Sequence, residues 1–284
     1  MAGTFSRSFQ LVKESFQVLK KDKELIWFPM ISLIVTVLLF ISFTVPVYFL
    51  TDIKAGDITN NYLYYVLLFA FYLLSYFIVI FFNTGLITCA HRRLNGEDPT
   101  FSDGFQNAKK HIGRIFVWAL ISATVGIILR IIANKSNTLG RIVIAFIGMA
   151  WSLLTFFVVP VMIFENISVI QSIKKSGYLF KKTWGENVIG QFSMGFFFLM
   201  LGLIGIIPLV ISFFIGSFII IVLAVALVII YWVILVIISS SLSGIFVTAI
   251  YNYANTGKVP SVYSPEVIKN AFKPKMPRGK SALI

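Results

Sequence analysis

An all-α, polytopic membrane helix bundle is the fold class this sequence predicts, and three observations predict it. Only 12% of the 284 residues are charged, while 58% are hydrophobic; a soluble domain carries roughly 25% charge. Six apolar stretches reach the length of about 20 residues that a helix needs to cross the hydrocarbon core. A short basic pattern recurs three times, each time ahead of two apolar stretches, so the chain reads as three parallel hairpin repeats, each preceded by an amphipathic interfacial helix.

The first copy is Thr4-Phe5-Ser6, Phe9-Gln10 and Lys13, followed by Ser15 and Lys20-Lys21. Phe5, Phe9, Val12, Phe16 and Leu19 fall on one helical face. Spans one and two follow at about 25–50 and 62–90. The second copy is Thr100-Phe101-Ser102, Phe105-Gln106 and Lys109-Lys110, with a stripe of Phe101, Phe105, Ala108, Ile112 and Ile115. Spans three and four run over 112–132 and from 141 or 142 to 164. The third copy keeps Gln171, Lys174-Lys175, Ser176 and Lys181-Lys182, with a stripe of Ile170, Ile173, Gly177, Phe180 and Trp184. No charge then interrupts the chain between Glu186 and Lys258. Pro208 and Gly216-Ser217 are the natural breaks, so spans five and six are expected at 188–207 and 218–251. The sixth exceeds bilayer thickness and is expected to tilt or to project into water; the break is read as a simple outer turn or as re-entrant. The repeat units are about 4–90, 100–164 and 166–253. Residues 254–284 form a basic tail, with a short helix expected at 265–272 behind Ser264 and Pro265.

Twenty of the 24 Lys and Arg residues lie on the amino-terminal side of this topology. The other four are Lys54, Arg130, Lys135 and Arg141, and the two arginines are expected to snorkel. Positive charge marks the inner side, so both termini are expected in the cytoplasm. The net charge of +13 sits in clusters beside apolar runs, which fits an anionic leaflet and not nucleic acid. A single cysteine, Cys89, excludes an internal disulfide framework.

The lysines of the basic helices are the candidate contacts: Lys13, Lys20, Lys21, Lys109, Lys110, Lys174, Lys175, Lys181 and Lys182. One reading makes them topological stop signals. The other makes them a collar for anionic lipid or an unidentified protein partner, and the recurrence of Gln10, Gln106 and Gln171 favours it. The repeats are parallel and small, unlike the inverted repeats common among carriers.

Residues 160–184 carry Pro160, Phe164-Glu165-Asn166, Ile170-Gln171-Ser172-Ile173-Lys174-Lys175-Ser176, Leu179, Lys182 and Trp184. This rhythm resembles a linker in the membrane domain of glycerophosphoryl diester phosphodiesterases and in related six-span prokaryotic membrane proteins. Glu165 and Ser176 match that motif. The resemblance implies a six-helix bundle in a prokaryotic plasma membrane. The phosphodiesterase activity of that family resides in a separate soluble barrel, so no catalytic residue is carried over.

The spans lack mid-membrane Asp or Glu, where a buried charge would mark function. Glu165 is expected to cap the following helix or pair with a lysine. His91, His111 and Cys89, with Glu97 and Asp98 nearby, fall short of a zinc ligand set; no metal or cofactor is expected. Asn83, Thr84, Thr88, Ser239, Ser240, Ser241 and Ser243, with Gly85 and Gly244, give small polar faces, read either as close packing or as the lining of a cavity. The leading expectation is a non-enzymatic protein that organises anionic lipid or recruits a partner. The alternative is a channel or carrier for a small solute. A lipid-modifying enzyme using Glu165 and His91 is a third reading.

Overall fold

A computed structural model describes residues 2–50, 62–182, 184–257, 259–260 and 262–263; the side chains of 2–9, 11, 46–50, 62–64, 182 and 184–193 lie outside the description. The expected tail helix at 265–272, Phe5, Phe9, Lys54 and the side chain of Lys182 therefore lie outside it too.

Eleven helices make up the described chain: α1 Ala2–Lys21, α2 Trp27–Leu50, α3 Tyr62–Leu94, α4 Phe101–Lys110, α5 Ile112–Lys135, α6 Thr138–Leu154, α7 Val158–Phe164, α8 Val169–Lys182, α9 Trp184–Ile204, α10 Ile207–Ile215 and α11 Phe218–Thr256. Six stretches are long and apolar enough to span a bilayer: Lys23–Val45, Tyr65–Leu94, Ile112–Lys135, Thr138–Phe164, Met194–Ile215 and Phe218–Thr256. Helix α3 is the hub, packing on α2, α4, α5, α7 and α11. The basic helices α1, α4 and α8 lie ahead of spans one, three and five, as the pattern predicts.

Burial concentrates in the lysine-rich half. One core gathers Leu25, Phe28, Leu86, Phe157, Leu242 and Phe246; a second gathers Ile87, Ala108, Trp118, Val158 and Met162. Toward the opposite end large apolar side chains face outward, as with Leu38, Phe40, Leu139, Phe214 and Phe218. At the end away from the lysines the Arg130 guanidinium bonds to the Tyr72 hydroxyl, and Arg141 reaches the Ala133 carbonyl of α5.

Three expectations are refined. First, Pro208 does not end the fifth span. It occupies the first turn of α10, where its missing N–H leaves no gap, and the span continues to Ile215. The turn is made at Gly216, whose left-handed φ of 71° suits glycine. The short break at Gly205 leaves the Gly202 carbonyl without its usual helical donor, and Trp232 Nε1 fills the vacancy at 3.2 Å. Second, the excess length of α11 is packed against protein at its basic end. Its 39 residues extend about 58 Å, and Leu242, Ile245, Phe246, Ala249, Ile250 and Tyr251 at its basic end are buried against protein. Third, span four is broken at Thr155–Phe157, one turn before Pro160, whose ring collides with the preceding carbonyl and whose nitrogen cannot donate.

Candidate functional site

The described acidic side chains of the basic end are engaged internally. Asp22 caps the turn Lys23–Ile26 by accepting the Glu24 N–H, and it pairs with Arg93 Nε at 3.2 Å. Burial pushes its carboxyl above the usual range, opposed by Arg93. Arg93 also pairs with Asp98. Arg92 meets Glu97 at 2.6 Å and Asp103 at 3.2 Å. Asp103 forms a capping box with Thr100, and that backbone N–H holds its carboxyl below the usual range. Glu24 accepts the Phe101 N–H, tying the start of α2 to that of α4. Glu165 pairs with Lys175 Nζ at 2.5 Å and accepts from the Tyr251 hydroxyl at 3.1 Å.

His91 is held between Asn252 and Asn95, at 2.8 and 3.1 Å, and stacks on Phe164 at 4.1 Å. His111 bonds the Asn107 carbonyl. Cys89 is buried and reaches the Thr100 carbonyl. Among the described residues no three His, Cys, Asp or Glu side chains gather as metal ligands.

What remains at this end is lysine. Lys13, Lys20, Lys21, Lys109, Lys110, Lys174 and Lys181 are exposed, and none has an ion-pair partner among the described residues. Lys175 differs, being taken by Glu165.

The three glutamines share a place in the sequence pattern but not a role. Gln10 donates to Glu14, Gln106 donates to Ser102, and Gln171 accepts from Ser168 N and Oγ, closing a capping box at the start of α8. Each bond is local to its own helix.

The apolar stripes divide between protein and surface. In α8 the buried face is Val169, Ser172, Ser176, Leu179 and Phe180, while Ile170 is 56% exposed. In α1 it is Val12, Ser15, Val18 and Leu19, with Phe16 exposed. In α4 it is Gly104 and Ala108, with Phe105 exposed. Serine, glycine and alanine thus share the inner face with Val12, Val18, Leu19, Leu179 and Phe180, while Phe16, Phe105 and Ile170 turn outward. The reason is visible at Ser176. Its hydroxyl donates to the Leu154 carbonyl at 2.6 Å and accepts the Phe157 N–H at 2.9 Å, satisfying two backbone groups exposed by the break in span four. Ser15 has its own buried partner, the Tyr263 hydroxyl at 2.8 Å.

A second feature lies within the membrane-spanning part. A cavity of about 280 Å³ opens between α2, α3, the α6–α7 break and α11, and Ser32, Asn83, Ser240 and Ser243 supply its polar lining. The two readings of the polar residues thus divide by helix face. Thr88, Ser241 and Thr248 pack, their hydroxyls returned to carbonyls of their own helices. Thr84 is buried outside the cavity wall. Asn83, Ser240 and Ser243 line the space. Ser32 was not singled out from sequence; its signal was a lone hydroxyl one turn from Pro29 in an apolar run.

Fold and site together define an integral, polytopic α-helical membrane protein with one lysine-rich end. Within that class the chain belongs to the DUF6159 family, a family of unknown function, whose pattern matches residues 62–261. No curated protein and no solved structure matches it.

Proposed function

We propose that this protein organises anionic lipid at the cytoplasmic face of a prokaryotic plasma membrane, without catalysing a reaction. The observation that carries this reading is a repeated pairing on the basic helices. Phe16, Phe105 and Ile170 are large, apolar and exposed, and each is followed four residues later by an exposed lysine, Lys20, Lys109 or Lys174. Residues four apart lie on one helix face. The apolar member can enter the acyl boundary while the ammonium meets a phosphate one turn away.

Pairing of the described acids within the protein leaves Lys23 beside the seven lysines of the basic helices, eight exposed lysines to act together. Each is worth on the order of 1 kcal/mol near an anionic surface. The same charge asymmetry supports cytoplasmic termini, and the resemblance of 160–184 to a prokaryotic membrane-domain linker supports the compartment. The engaged state of His91 and Glu165 supports a structural role for both.

The test is quenching of protein tryptophan by brominated phosphatidylglycerol against brominated phosphatidylcholine in reconstituted vesicles. Wild-type protein should prefer the anionic lipid, and the preference should fall with salt. Replacing Lys13, Lys109 and Lys174 together by Gln should reduce it by about fivefold per lysine engaged. An unchanged preference refutes the reading.

A further inference from the structure

We infer that the cavity between α2, α3 and α11 is a binding site for the polar end of an uncharged amphipathic lipid. Its lining poses an unmet demand for hydrogen bonds. Ser32 is 9% exposed and lines the space. Neither Ser32, Asn83 nor Ser240 has a hydrogen-bond partner among the described residues. An asparagine carboxamide offers two donors and two lone pairs, and no bulk water is available inside a bilayer to satisfy them. Thr88, Ser241 and Thr248 sit nearby in sequence and return their hydroxyls to their own helices, whereas Ser32, Asn83 and Ser240 converge on one space without partners among the described residues.

The position and chemistry of the wall select the occupant. Asn83 lies ten residues from Arg93 along α3, about 15 Å below the ion-pair layer, which is hydrocarbon depth. No Lys, Arg, Asp, Glu or His lines the space, so a charged headgroup would have to be buried without a counter-charge, at a prohibitive cost. Most of the wall is apolar, including Phe82, Leu86 and Phe156. The mouth faces lipid, because Val79 and Ser240 belong both to the lining and to the exposed surface. A neutral hydroxyl or carbonyl on an alkyl chain satisfies all of this: it can descend to this depth, enter sideways and supply both donor and acceptor. This site stands apart from the lysine face and does not depend on it.

The experiment is native mass spectrometry of the protein in detergent with 1,2-dioleoylglycerol as the probe, beside an octadecane control. Wild-type protein should retain one dioleoylglycerol and no octadecane. Asn83→Leu, which removes both bonding functions at nearly constant volume, should weaken retention by tenfold or more. Ser32→Ala is the milder second variant if Asn83→Leu does not fold, and it should also weaken retention. Replacing Lys13, Lys109 and Lys174 by Gln should leave it unchanged, which separates this site from the basic face. No retained dioleoylglycerol, equal retention of octadecane, or full retention by both polar variants would each overturn the inference, the first leaving water as the occupant.

Discussion

Replacing Ser176 by Ala should destabilise the protein, and the same change at Ser172 should not. Both serines are fully buried, and they stand one turn apart on α8. Ser176 bridges the break in span four, bonding Leu154 O and Phe157 N. Ser172 only returns its hydroxyl to Ser168 O in its own helix, at 2.8 Å. Interhelical hydrogen bonds in membrane proteins average about 0.6 and reach about 1.7 kcal/mol. Stranding a buried backbone group costs about 1–3 kcal/mol, and here two are stranded where the helix offers no substitute. Alanine returns about 0.5 kcal/mol of helix propensity at either site. The expected net cost is about 2 kcal/mol for Ser176→Ala and between about 0 and −0.5 kcal/mol for Ser172→Ala. Unfolding by sodium dodecyl sulfate in mixed micelles reads both. A difference below about 0.5 kcal/mol between the two variants refutes the assignment of Ser176 as the clamp on span four.

Three further outcomes follow from the packing and the charges. A Cβ on Gly104 would stand 2.7 Å from the Gly85 carbonyl, a backbone group that cannot yield, so Gly104→Ala should cost about 1–3 kcal/mol; Gly113, with nothing within 4 Å, should tolerate Ala or gain a few tenths, both read by the same unfolding assay. Asp103 is held below the usual carboxylate range by the Thr100 N–H. Its contribution is therefore complete above the unfolded carboxylate value and is lost as pH falls through the lowered one; Asp103→Asn should flatten the acid limb of stability against pH. Asp22 runs the other way. Its raised value means the protonated form is favoured in the folded protein, so its contribution is lost as pH rises through that raised value and returns on acidification; a stability–pH curve for Asp22→Asn should lack that segment.

The spans and the lysine-rich end were legible because length, hydropathy and charge carry them without tertiary information. Glu165 pairing with a lysine was also readable from its position at the end of span four. The division of the faces of α1, α4 and α8 was legible only in part. Helical spacing marks one apolar stripe, but these helices meet two apolar neighbours, lipid and protein. On α4 the protein side is too close for Phe105: at Gly104 a single added carbon would already touch Cys89 and Phe28. Ser15, Ser172 and Ser176 joined the inner faces, and Ser176 served a helix break whose location depended on Pro160 and on packing. The glutamines make different bonds for a related reason, because α1, α4 and α8 begin at different points relative to them. A shared sequence position therefore became three different places in a helix. The cavity was half legible: Asn83 and the serines of α11 were visible as polar residues, but only assembly shows which of them face the same space.

The central claim is that the lysine face selects anionic lipid. It is tested most directly by native mass spectrometry of the protein released gently from its own membranes. The account predicts bound anionic phospholipid enriched over its bulk proportion, and loss of that enrichment when Lys13, Lys109 and Lys174 are replaced by Gln. Lipid bound in its bulk proportion, or a stoichiometric protein partner with no lipid enrichment, would contradict it.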